Sequence, residues 1–87
     1  MLRDDPKGSR FEIDDEGVVV FADYRRRGDT LFIDHVETPP ARRGRGAAGR
    51  LMAAIVERAE HERLTIVPIC AYAAAWMARR AASTGRA

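Results

Sequence analysis

The sequence predicts an α+β domain: an antiparallel meander of three strands, a strand–helix–strand unit, and a short closing helix. Three observations predict it. Short alternating apolar runs separated by turn residues fill the first part of the chain. Apolar residues at three- and four-residue spacing follow a glycine-rich loop. An alanine-rich segment comes last. The 87 residues make one domain, 1–87, whose core is thin.

Residues 1–9 are polar, with Pro6 and Gly8, and read as a loose arm. RFEID alternates, with Phe11 and Ile13 on one face, and is the first strand. Asp14 to Gly17, DDEG, is turn chemistry. VVVFADYRR is β-branched and aromatic and makes the second strand. RGDT, Arg27 to Thr30, turns the chain into the third, LFIDHVE. Pro39 and Pro40 end that strand, because proline has no N–H for a ladder.

The apolar positions 48, 51, 52, 55, 56 and 59 fall on one face of a helix of about four turns. Leu64 to Cys70, LTIVPIC, suits a buried strand, and AYAAAWMARRAA is a strong helix former. The strand–helix–strand unit makes its two strands parallel, with a right-handed crossover.

Composition excludes several classes. Net charge is +2, and seven of the fifteen basic residues are gathered in two clusters, Arg25–Arg27 and Arg42–Arg50. The low charge and the lack of aromatic stacking positions along a strand argue against nucleic acid. One cysteine, Cys70, permits neither an internal disulfide nor a cysteine-rich metal site, and no ligand pair has metal-binding spacing. No signal peptide and no membrane-length apolar run are visible, so a soluble, cytoplasmic protein is expected. A domain this small is compatible with a homo-oligomer.

The loop TPPARRGRGAAGRLM runs straight into the helix. A helix start presents unpaired N–H groups and the positive end of its dipole, which suits an anion. Gly44 and Gly46 allow close approach to the backbone, and the arginines supply bidentate donors for phosphate. Residues 44–49 also fit G-x-G-x-x-G, the dinucleotide fingerprint, but that motif belongs after the first strand of a parallel sheet. A Walker A loop is excluded, since no Lys-Ser/Thr pair follows the glycines.

Arg43-Gly44-Arg45-Gly46-Ala47-Ala48 matches Q/R-x-x-G-x-G/A, and it sits between a strand and a helix. By this motif, by His35 before PPARRGRG and by Pro68-Ile69-Cys70, the chain resembles the GNAT superfamily of N-acetyltransferases. Within it, the chain resembles very short, stand-alone GNAT-like domains. The resemblance implies a GNAT-like core with splayed central strands and a site for acetyl-CoA, with no metal. Its partners would be acetyl-CoA and an amine acceptor.

On that reading the amides of Arg45, Gly46, Ala47 and Ala48 hold the pyrophosphate, and Arg43 and Gly44 shape the turn. Backbone groups from Val36 to Thr38 pair with pantetheine. Arg42 and Arg50 are within reach of outer phosphates, although the motif does not assign them. His35 is the candidate base, because imidazole titrates near neutrality, with Glu37 in reserve on the same strand face. Cys70 is either a nucleophile facing the same opening as His35 or a small packing residue. Tyr72 is the candidate acid for the departing thiolate. Two other functions stay open: an acyl-CoA-binding module with little chemistry, and a basic nucleic-acid-binding module.

Overall fold

The computed structural model describes residues 1–84. Five strands form one sheet in chain order: β1 (Arg3–Asp5), β2 (Arg10–Asp15), β3 (Val18–Arg27), β4 (Thr30–Glu37) and β5 (Thr65–Pro68). The first four are antiparallel, and β5 runs parallel to β4. Helix α1 (Ala47–Glu62) connects β4 to β5, and α2 (Ala71–Thr84) follows β5.

Two expectations need correction. The N-terminal arm is not loose: Arg3–Asp5 pairs with Arg10–Glu12 as an edge strand. Polar side chains hold it there. Arg3 donates to Asp14 at 2.8 Å and to Glu12 at 3.3 Å, and Tyr24 donates to Asp4 at 2.6 Å. Burial, reinforced by Asp4, pushes the Tyr24 phenol up to about 12. The last strand is also shorter than expected and only half-buried, because it forms the opposite sheet edge with helices over one face alone.

The core lies on that one face. Phe11, Ile13, Val20, Ala22, Leu31 and Ile33 meet Ala47, Leu51, Met52 and Ile55 of α1, and Ala73 of α2. Trp76 and Met77 pack against the same cluster. On the other face arginines cover aromatic rings: Arg10 lies 3.7 Å over Phe21 and Arg25 lies 4.7 Å over Phe32. The core is one layer deep, so a single methylene counts. Ile55→Val, at a fully buried site, is expected to cost about 0.5–1.5 kcal/mol in urea unfolding with an unchanged m value.

One irregularity controls the site. Tyr24 pairs with Ile33, but Asp23 pairs with His35, so β4 carries an extra residue, Asp34. This β-bulge reverses the alternation of side chains. Leu31 and Ile33 face the core before it, whereas Val36, paired with buried Ala22, does so after it. Arg25 clasps Asp34 through two hydrogen bonds of 2.7 and 2.9 Å.

Candidate active site

The site begins where β4 loses its neighbour. Parallel pairing with β5 runs from Thr30↔Thr65 to Ile33↔Pro68 and stops. The N–H groups of Ile69 and Cys70 both turn to the Ile33 carbonyl, at 3.0 Å each, and the chain leaves for α2. From Asp34 to Glu37, β4 continues with β3 on one side and, among the described residues, no strand on the other. The two central strands therefore part, as expected of a splayed pair.

The loop folds back over this opening. A 3₁₀ turn at Pro40–Arg42 begins on the second of the two prolines, and Gly44 and Gly46 then take left-handed φ values of 77° and 78°. Glycine suits both positions because a side chain there is strained. Gly46 is the N-cap of α1, with no side-chain cap and no acidic residue in the first turn. The first N–H groups of a helix have no intrahelical partner, so they face outward here.

The result is a cleft of about 420 Å³. Its walls are Val36, Glu37 and Thr38 from β4 and the residues after it, Arg42, Arg43, Gly44 and Gly46 from the loop, and Ala47, Ala48 and Tyr72 from the helix starts. Four residues expected at the site stand outside this lining: His35, Arg45, Arg50 and Cys70.

The bulge explains His35. It shares a face with Asp23, on the side of the sheet away from α1, and is exposed. There its Nε2–H donates to Glu37 at 2.9 Å. Cys70 is half-buried and packs against the core cluster. The expected meeting of His35 and Cys70 in one opening is therefore not what the fold produces. Glu37 is not an independent reserve base either. The hydrogen bond from His35 holds its carboxyl below the ordinary range, with burial opposing and Arg43 assisting.

Arg42 also departs from expectation. Its guanidinium is buried and bound to Asp15 at 2.9 and 3.0 Å, so it is not free to reach a phosphate. Arg43 is exposed and donates to the Thr38 carbonyl at 3.1 Å. In the other basic cluster, Arg25 is taken by Asp34, and Arg26 lies 3.6 Å from Glu62. Among the described residues no helix is long and apolar enough to cross a membrane.

A family model described as GCN5-related N-acetyl-transferase matches residues 10–84. The chain belongs to the GCN5-related N-acetyltransferases. A solved structure agrees in fold: the solution NMR structure of a GCN5-like N-acetyltransferase candidate from Staphylococcus aureus, with a TM-score of 0.66. The two are 21% identical, and the match covers 97% of this chain and 83% of that one. The antiparallel start of the sheet sets this chain apart from the doubly wound fold that the dinucleotide fingerprint requires.

Two residues important to the geometry were missed in the sequence. Asp15, read there as part of a turn, ends β2 and is only 7% exposed. Alternation from Phe11 and Ile13 puts it on the core face, which was the available signal. Gly49 was read only as part of a motif. A Cβ there would lie 3.4 Å from the Trp76 Nε1 and 3.7 Å from the Tyr72 hydroxyl, so glycine lets α2 approach α1.

Burial pushes the Asp15 carboxyl up, but hydrogen bonds from Arg42 and then Arg50 outweigh it, leaving the group below its ordinary value of 3.8. A group depressed on folding stabilises the native state above its unfolded pKa. That contribution is lost as pH falls through the lower folded value. Asp15→Asn is therefore expected to lower the melting temperature at neutral pH. The gap from wild type should narrow steadily below about pH 4. Melting curves across that range check it.

Proposed function

We propose that this acetyltransferase takes its acetyl group from acetyl-CoA held in the cleft and passes it directly to an amine. The observation that carries this is the coincidence of an open strand edge with an uncapped helix start. Val36 to Thr38 offer backbone partners along the first, and Gly44 to Ala48 offer an anion cradle at the second. A cleft that accepts both a peptide-like arm and a phosphate fits the pantetheine and pyrophosphate of one molecule. Acetyl-CoA supplies an activated thioester; the protein's own groups orient it and handle the protons.

Tyr72 lines the cleft at the start of α2 and is the proton donor to the departing thiolate. His35 is the base for the amine. Its Nε2–H is committed to Glu37, which leaves Nδ1 as the free acceptor. Glu37, on the same strand face as His35, reaches both the cleft and the imidazole, so it orients that base. On this reading the amine comes from the outer sheet face, where His35 is exposed. Cys70, packed on the core, is a wall and not a nucleophile.

The test is thermal melting with CoA and acetyl-CoA, followed by turnover with a panel of amines. A ligand at a hundred times its Kd stabilises by about 2.7 kcal/mol, or roughly 10 °C or more in a domain this size. No shift with CoA would overturn the reading. A shift without acetyl transfer to any amine would favour a binding module. Cys70→Ala should keep most of its turnover, and trapping an acetylated Cys70 would establish the covalent route instead.

A further inference from the structure

Asp15 and Arg42 are the buried charged side chains among the described residues. Asp15 does more than neutralise Arg42. Its two oxygens also accept from Arg50 Nη2, at 2.9 and 3.0 Å. Arg42 lies before the two left-handed glycines and Arg50 lies after them. One carboxylate, delivered by the end of β2, therefore grips the loop on both sides.

The two arginines are held differently. Arg42 is enclosed, with Nη2 also 3.4 Å from Glu16. Arg50 is half exposed. While its Nη2 is on Asp15, its Nη1 would sit 3.2 Å from a Cβ placed on Gly46. Arg50 therefore stands against the N-cap of α1. Asp15 and Glu16 together balance the two guanidiniums, and the half-exposed Arg50 is the member of the cluster that stands beside that helix start. A cation fixed before a ligand arrives loses no side-chain freedom on binding.

We propose that Asp15 is the positioning residue of the phosphate loop, setting Arg50 as a fixed cation beside Gly46 and anchoring the loop's entry through Arg42. This rests on the acetyl-CoA reading above. Asp15 touches no ligand itself. Arg50 supplies the charge that meets the phosphates, and Asp15 decides where that charge stands.

Titration calorimetry with CoA and with pantetheine, which lacks the nucleotide and its phosphates, tests this. Asp15→Asn and Arg50→Gln should each weaken CoA roughly tenfold, the size of one charge-assisted contact. Pantetheine binding should stay at the wild-type level in both. Because the two residues act as a unit, the double variant should bind CoA no worse than the weaker single variant. Arg50→Gln leaves the Asp15–Arg42 pair in place and stays informative if Asp15→Asn folds poorly. Wild-type CoA affinity in folded Arg50→Gln would overturn the proposal. So would equal losses for CoA and pantetheine in Asp15→Asn, which is the mark of a merely structural role. A wild-type protein that binds neither compound would overturn the acetyl-CoA reading itself.

Discussion

Gly46→Val is expected to abolish the stabilisation by CoA, with a loss of affinity of about a hundredfold or more, equivalent to two charge-assisted contacts. Gly46 sits at φ 78° as the N-cap of α1. A β-branched residue is strained in that region of backbone space, whatever room surrounds it. The new Cβ would also press on Arg50 Nη1 at 3.2 Å, and the side chain would stand at the mouth of the anion cradle. Strain alone lowers stability, so a second variant must carry the same strain elsewhere. Gly17→Val does so: φ is 86°, nothing lies within 4 Å of its Cβ, and the turn between β2 and β3 is outside the cleft. It should melt at a lower temperature yet bind CoA as wild type does. Arg26→Ala, on the other basic cluster, should also bind normally. Equal losses from Arg26→Ala and Gly46→Val would mean diffuse charge attraction in place of a formed cradle.

Tyr72→Phe is expected to reduce kcat by about a hundredfold or more, the usual scale for a positioned acid, with little change in KM for acetyl-CoA. The substitution removes one hydroxyl and keeps the ring. The ring keeps its place in the cleft lining at the start of α2, so the cleft wall should survive. A proton donor is needed only as the thiolate leaves, and its loss therefore appears in the chemical step and not in binding. Full activity in Tyr72→Phe would assign the proton to water or another group. A rise in KM with unchanged kcat would make Tyr72 a packing residue of the wall.

The sequence was informative where local rules decide the outcome. Alternation located the three meander strands, and helical spacing located α1, because both reflect the burial of one face. Prolines and glycines marked the loop, since their backbone preferences are intrinsic. What stayed hidden depends on long-range partners. Residues 3–5 look like a tail until Arg3 finds Asp14 and Tyr24 finds Asp4. The half-buried state of β5 depends on there being no further strand beside it. In the site, the loop and the open strand edge were legible from motif and order. The separation of His35 from Cys70 was not, because counting by twos from Ile33 assumes an unbroken ladder. Arg42 was read as within reach of outer phosphates, and only its pairing with Asp15 across the fold corrects that.

The extra residue at Asp34 gives β4 a tolerance that the rest of the strand lacks. Deleting it would leave a regular ladder in which Ile33 still faces inward, the histidine outward and the following valine inward. A deletion anywhere between Leu31 and Ile33 would instead invert one half of the strand against the other, exposing core residues to water. Length variation among descendants of this chain is thus channelled to one position. The binding half of the strand keeps its partners on β3, and its side chains keep their sides, whether that residue is present or not.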